Sequence, residues 1–368
     1  MQREMIVDPW AGFDGHEEVL VGQDDASGLR AVIAIHSTAL GPALGGVRMS
    51  SYSHAGADSE ARAAAYADAL RLSRAMTYKN ALAGLQHGGG KAVMVHDPSD
   101  KPPDLLRAFG RMVCSLDGRY VTAGDVGMRV EDMDIIGESC RWTTGRSPDK
   151  GGVGDSGILT AIGVHAGMRA GAQEAFGTAD LGGRTVAVIG AGKVGGRLIG
   201  HLLDDGASVV ALEPEASVRA AIDAAYPGGV TWVDDLDALL STRPEVVSPN
   251  ALGGFLTVEL VPLLAASGVG LVCGGANNQL ASPEVGDLLA EHSVLYAPDF
   301  CVNCGGVIQV AEELVGADVD KARAKVEQVF QTTADVLTRA REEGLTPVRA
   351  AEREAETRIA AGPVSGGR

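Results

Sequence analysis

Residues 185–213 read TVAVIGAGKVGGRLIGHLLDDGASVVALE. A short apolar run, TVAVI, leads into Gly190, Gly192 and Gly195, which together spell G-x-G-x-x-G. A helical stretch and a second apolar run, SVVAL, follow, and the second run ends at Glu213. The pattern alone is common, but strand, glycine turn, helix and strand in this order form one βαβ unit. In such a unit the first glycine permits a tight turn. The second lets a pyrophosphate approach the main chain, and the third lets helix and strand pack closely. Phosphate oxygens then meet free N–H groups at the helix N-terminus. Gly190, Gly192, Lys193, Val194 and Gly195 are therefore the expected cofactor cradle. Glu213 suits the hydroxyls of an adenosine ribose and repels a 2′-phosphate, which points to NAD rather than NADP. The competing reading is a glycine-rich turn with no ligand.

Outward from this unit, EVVSPN, GLVCGGAN and VLYAP are further short apolar runs, separated by helical stretches. Repeated βα alternation predicts a parallel sheet with helices on both faces. The residues before it read differently. Residues 17–37 hold two apolar runs around DDASG, a hairpin signal. Residues 58–79 suit a helix, GKAVMVH a strand, residues from Pro103 another helix, and GRYVTAGD a strand ending in Asp125. The break GRSPDKGGVGDSG, residues 145–157, is the expected domain boundary, with a helix over 158–176 beyond it. The expected fold is α/β, with an α/β substrate and oligomerisation domain and a Rossmann dinucleotide-binding domain separated by a cleft. The first takes residues 1–150, completed by C-terminal helices from about 335 to 368, and the second 151–334. The last residues, GPVSGGR, read as a disordered tail.

A length of 368 residues fits two domains at roughly 150 residues each. Aromatics are 4% against 45% hydrophobic residues, so the cores are expected to be aliphatic. A formal charge of −17 argues against nucleic-acid and anionic-membrane partners. The N-terminus, MQREMIVDPW, carries no basic-then-apolar signal, and no run is long enough to span a bilayer. Five cysteines in a chain this long suggest reduced thiols and a cytoplasmic protein. C-x-x-C at Cys301 and Cys304 lacks a second ligand pair, so no metal site is expected.

Residues 76–91, MTYKNALAGLQHGGGK, place Lys79 and Lys91 in a small apolar segment. Desolvation lowers a lysine pKa by up to ~3–5 units when burial is complete. Such a lysine serves as a base, an anion binder or a Schiff-base nucleophile. Glycines ahead of it are expected to let substrate or cofactor approach the main chain. A phosphate loop is excluded, because Ala92 stands where G-x-x-x-x-G-K-[ST] requires a hydroxyl. Two solvated surface lysines are the plain alternative.

The motifs LGPALGG, MTYKNALAGL, GGGK, GRYVTAGDVG, EDMDII, TGRSP, GAGKVG, CGGANNQL and YAPDF occur in order along the chain. They resemble the Glu/Leu/Phe/Val family of amino-acid dehydrogenases, its branched-chain members above all. The resemblance implies reversible NAD-dependent oxidative deamination of an L-amino acid to a 2-oxoacid and ammonia, in a homo-oligomer. By that resemblance Lys79 pairs with the substrate carboxylate, Lys91 activates water, and Asp125 exchanges protons with the amino group. Gly45 and Gly46 line the substrate floor, Met76 is an apolar wall, and Cys301 and Cys304 wall the side-chain pocket. Thr160 meets the nicotinamide carboxamide. Asn250, Ala251, Asn277, Asn278 and Asn303 border nicotinamide and substrate. Val47, Met128, Arg129, Ser248 and Asn250 depart from the family pattern and bear on the substrate. Arg129, four residues after Asp125, is expected to face solvent. An apolar side chain such as that of valine, leucine or isoleucine is expected, with an aromatic amino acid as the alternative. A homologue that binds nucleotide or amino acid without turnover is the other alternative. A 2-hydroxy-acid dehydrogenase would need a His/Arg pair that the sequence lacks.

Overall fold

A computed structural model describes residues 13, 15–56, 58–316 and 318–363. The extreme N-terminus and residues 364–368 of the expected tail lie outside them. The chain divides into two compact units. One takes residues 1–155, 310–319 and 356–368, and the other 156–309 and 320–355. The first division falls within the expected boundary segment. The C-terminal part differs from expectation, because residues 335–355 belong with the second unit. There Arg341 pairs with Glu174 at 2.6 Å and Arg349 with Asp287 at 2.8 Å, contacts made within that unit.

The first unit contains β1 (Glu18–Asp24), β2 (Leu29–Ser37), β3 (Ala43–Ser50), α1 (Asp58–Leu82) and β4 (Gly88–Val95). It continues with α2 (Pro103–Cys114), β5 (Tyr120–Gly124) and α3 (Val130–Ser139). The strands lie in the order β1-β2-β4-β3-β5. β1, β2 and β4 pair antiparallel, while β3 runs parallel to both β4 and β5. The hairpin β1–β2 is the one the sequence indicates. β3, which the sequence reading did not identify, is the strand on which the site is built.

Alternation along the strands sorts side chains onto two faces. Ile33, Ile35, Val47, Ala92 and Met94 pack with Leu105, Phe109 and Met133 of α2 and α3. Val32, Ala34 and Val93 pack with Ala61, Ala65 and Ala69 of α1. Alanines four residues apart give α1 a thin face, so it lies close on the sheet. Asn80 ties its C-terminal end down by donating to Leu44 O at 3.0 Å and Gly88 O at 2.6 Å.

The glycines before Lys91 serve this packing. A Cβ on Gly89 would lie 2.1 Å from the backbone N of Thr77 on α1. One on Gly90 would meet the Tyr120 ring at 2.7 Å, and one on Gly88 would meet Ser37 O at 1.9 Å. The expectation that these glycines admit a ligand is thus corrected, because the protein's own helix and strands fill that space.

The second unit contains α4 (Gly157–Phe176), β6 (Thr185–Ile189), α5 (Gly195–Asp204), β7 (Ser208–Leu212), α6 (Ala216–Ala225) and β8 (Val230–Val233). Next come α7 (Leu236–Ser241), β9 (Val246–Pro249), α8 (Leu260–Ala266), β10 (Leu271–Val272), α9 (Glu284–Glu291) and β11 (Leu295–Tyr296). The helices α10 (Asp299–Val302), α11 (Gly305–Glu313), α12 (Val319–Glu327), α13 (Val329–Glu343) and α14 (Pro347–Ala361) complete the chain. All six strands are parallel, in the order β11-β10-β9-β6-β7-β8. The order reverses between β6 and β9, which is where such sheets bind nucleotides. No helix among the described residues is long and apolar enough to cross a membrane.

Candidate active site

On the first unit, Lys91 lies on β4 and Asp125 just beyond β5, so β3 runs between the strands that carry them. Lys91 Nζ stands 2.7 Å from Asp125 Oδ2, and the two side chains are 7% and 16% exposed. Gly46 on β3 makes room for the pair, since a Cβ there would come within 2.8 Å of Asp125 Cβ. A Cβ on Gly45 would strike Gly90 O at 1.8 Å and Met76 Cγ at 3.2 Å. Met76 therefore covers the glycine floor from α1. Lys79 follows three residues later, half-buried in the last turn and on the same side of the helix.

The sequence reading missed one cation. Arg48, the only charged residue of β3, places Nε 3.3 Å from Asp125 Oδ2 and Nη1 2.7 Å from Asp68 Oδ2. Asp68 also accepts from the Tyr52 hydroxyl at 2.7 Å and from Arg71 at 2.6 Å. A lone charge inside an otherwise apolar strand was the signal available. Arg129, weighed as a partner of Asp125, is exposed at the N-terminus of α3, and its backbone N–H donates to Asp132 at 2.7 Å. Val47 and Met128 pack with the α2/α3 core, which accounts for those two departures by packing.

Burial pushes the Asp125 carboxyl upward, but Lys91 and Arg48 overcome that and hold it down at about 2. The folded group is more acidic than the unfolded one, so its stabilisation is complete above about pH 4 and is lost as pH falls towards 2. The difference is about 2 kcal/mol. Denaturant titrations from about pH 5 to pH 2 should therefore give a shallower loss of stability in Asp125→Asn than in the parent. Superimposable curves would contradict the pairing.

On the second unit, Gly190 has φ 87°, the left-handed conformation that favours glycine. A Cβ on it would meet Ala251 Cβ at 2.7 Å, so Ala251 closes over the turn where the strand order reverses. A Cβ on Gly195 would lie 2.0 Å from Gly190 O, while one on Gly192 would meet nothing within 4 Å. Gly192 and Lys193 are exposed and Val194 is half-buried. Glu213 is almost fully buried, its oxygens accepting from Ala191 N at 2.8 Å and Glu215 N at 3.0 Å. It props the glycine turn from the end of β7, and each oxygen keeps a lone pair for a further donor.

Asn250 accepts from Gly275 N at 2.8 Å and donates to Ser248 O at 2.9 Å and Ser248 Oγ at 3.0 Å. Two departures from the family pattern thus bond to each other. Asn303 donates to Asn277 Oδ1 at 2.9 Å, and its own Oδ1 is buried without a hydrogen-bond partner. Asn278 takes a positive φ of 52°, and its N–H donates to Asp299. Thr160 Oγ1 donates to Ser156 O at 2.9 Å, one turn back along α4. An open main chain at Gly192, an N-terminal helix end and an orphaned buried acceptor at Asn303 fit a dinucleotide. Gln279, also overlooked in the sequence, holds this loop by donating to Gly274 O at 2.7 Å and Ala276 O at 3.0 Å.

Cys301 and Cys304 are each 1% exposed. Cys301 Sγ lies 3.5 Å from Thr333 Oγ1, and Cys304 Sγ donates to Cys301 O. Neither thiol presents surface to a ligand, which departs from the pocket wall expected of them. Among the described residues no group of three or more His, Cys, Asp or Glu side chains is placed to hold a metal ion.

One unit with a glycine turn at the reversal point of a parallel sheet, and another that buries a lysine–carboxylate pair, are the equipment of a nucleotide-linked dehydrogenase. Comparison with known proteins narrows the class. A family model described as Glu/Leu/Phe/Val dehydrogenase, dimerisation domain, matches residues 16–142. A second, described as Glutamate/Leucine/Phenylalanine/Valine dehydrogenase, matches residues 214–363. The chain is 55% identical to valine dehydrogenase of Streptomyces virginiae, over 94% of each chain. It is 44% identical to leucine dehydrogenase of Geobacillus stearothermophilus, over 94% of this chain and 90% of that one. The crystal structure of L-tryptophan dehydrogenase from Nostoc punctiforme superimposes with a TM-score of 0.79 at 36% identity, covering 96% of this chain and 97% of that one. The chain belongs to the Glu/Leu/Phe/Val dehydrogenase family.

Proposed function

We propose that this protein catalyses the NAD-dependent, reversible oxidative deamination of a branched-chain L-amino acid, giving a 2-oxoacid and ammonia. The observation that carries the reading is the nearly buried Lys91–Asp125 pair at 2.7 Å, seated over Gly46. The choice of valine, leucine or isoleucine rests on likeness to the valine and leucine dehydrogenases, which exceeds that to the tryptophan enzyme.

A nicotinamide dinucleotide held by the second unit would supply the acceptor for the hydride that leaves the substrate Cα. Lys79 holds the substrate carboxylate and so fixes which hydrogen faces the acceptor. Asp125 is ionised at neutral pH and receives the N–H groups of the amine. Its basicity rises when a bound carboxylate or water draws Lys91 away from it, because Arg48 and the backbone N–H of Val126 are then left to oppose protonation. Lys91 orients the water that adds to the imine and, in its neutral amine form, takes up that water's proton; proton transfer by such a positioned group contributes ~10²–10⁴-fold. Gly190, Gly192 and Gly195 would hold the pyrophosphate and Glu213 the ribose hydroxyls, an arrangement that favours NAD. Thr160 and Asn303 offer acceptors to the carboxamide. We place the protein in the cytoplasm, which suits its five free thiols, and assign self-association to the unit that matches a dimerisation domain.

Initial rates over the full set of L-amino acids, with NAD and with NADP, test the reading. The highest kcat/KM is expected with valine, leucine or isoleucine and NAD. A preference for an aromatic or acidic amino acid would refute the substrate assignment, and no turnover of any amino acid would refute the reaction.

A further inference from the structure

The second unit has a hollow of about 520 Å³ between α4, α5, α12 and the start of α13, a volume typical of small-molecule sites. Ile162, Ala166 and Phe330 form its apolar wall. Four nitrogen-bearing side chains share the lining: His165 and Arg169 from α4, His201 from α5, and Arg323 from α12. None of them belongs to the cofactor turn or to the Lys91–Asp125 centre. Glu327, one turn beyond Arg323, is the only carboxylate in the lining.

The two imidazoles stack, with centroids 5.3 Å apart and planes 21° from parallel. His165 Nε2 bonds to Asp205 Oδ2 at 2.7 Å. Burial holds His201 below its ordinary pKa, and His165 and Arg323 add to this, while Asp204 and Asp205 oppose it. Arg169 uses its Nε towards Ala179 O at 3.4 Å. Among the described residues, no carboxylate lies within ion-pair distance of Arg169 or Arg323. Arg169 and Arg323, both exposed, line this hollow together with the two stacked imidazoles in a chain of net charge −17.

We propose that this hollow is a binding site for a small carboxylate with an apolar body, taken up together with a proton. The guanidiniums receive the carboxylate, as planar forks do. Ile162, Ala166 and Phe330 cover the apolar part. The anion offsets the repulsion that His165 and Arg323 place on a charged His201, so His201 gains a proton as the ligand enters. The inference is independent of the proposed reaction, because it uses no residue of the glycine turn or of the Lys91–Asp125 centre.

The test is calorimetric titration of the intact oligomer with benzoate at about pH 6 and about pH 8, in buffers of different ionisation heat. Binding is expected to be about tenfold or more tighter at the lower pH, with proton uptake visible in the buffer dependence. Arg323→Ala and His201→Gln should each weaken it about tenfold and leave kcat unchanged. Acetate, which lacks the apolar body, and inorganic phosphate should both bind more weakly than benzoate. Binding that is absent, independent of pH, or intact in Arg323→Ala overturns the site. Arg323 is exposed, so its variant reports even if His201→Gln folds poorly. Phosphate binding more tightly than benzoate overturns the ligand class.

Discussion

Replacing Lys91 with alanine is expected to lower kcat by about 10³-fold, the middle of the range for loss of a positioned proton-transfer group. The argument rests on position. Lys91 is 7% exposed in its side chain and meets Asp125 at 2.7 Å, so water cannot readily substitute for its ammonium group. Without it, the cation left beside Asp125 is Arg48, at 3.3 Å, and Arg48 is shared with Asp68. Dinucleotide affinity should be unchanged, because the glycine turn lies in the other unit. The cavity left by the lysine stem should admit a small primary amine, so added methylamine is expected to restore part of the rate. Steady-state kinetics with and without amine, alongside NADH titrated by fluorescence, decide the matter. A kcat within about tenfold of the parent would remove Lys91 from the chemistry.

The second large effect is on stability. Gly89→Ala is expected to cost about 3 kcal/mol or more, the upper end for overpacking, because the obstruction is backbone. The new methyl would lie 2.1 Å from both N and Oγ1 of Thr77 and 2.4 Å from its Cα. No rotamer relieves that contact, and α1 cannot simply lift, since Asn80 pins it to β3 and β4. The shift would also disturb the bond between Thr77 Oγ1 and His36 Nδ1, 2.8 Å long. A fall in Tm of about 10 °C follows at ~2–4 °C per kcal/mol. Gly192→Ala makes the paired control. Its methyl meets nothing within 4 Å, so Tm should hold while dinucleotide binding weakens, as the proposed pyrophosphate cradle requires. Equal Tm values for the two variants would overturn the packing argument.

The parallel sheet was legible because its signals are local. Strand, glycine turn, helix and strand lie within residues 185–213, and the observed β6, α5 and β7 occupy that stretch. β3 was not legible. Gly45 and Gly46 depress strand propensity, and only the neighbours of those glycines explain them. VTWV, which forms β8, was illegible for a different reason, since four residues, none of them buried, give little periodicity. Packing of residues 335–355 on the second unit was equally hidden, because a charged helix does not declare its partner.

By itself the sequence determined the α/β class and the glycine turn with Glu213 at the end of the second strand, and its motifs named Lys79, Lys91 and Asp125 as candidates by resemblance. Tertiary structure alone decided that Arg48 is the second cation on Asp125 and that Arg129 is not. It also decided that the three glycines before Lys91 make room for Thr77, Tyr120 and Ser37 rather than for a ligand. The physical reason is range. Turns and strand–helix alternation are set by residues a few positions apart. The charge on a buried carboxyl and the space beside a glycine are set by chain that arrives from far away in sequence, and no local pattern records which chain that will be.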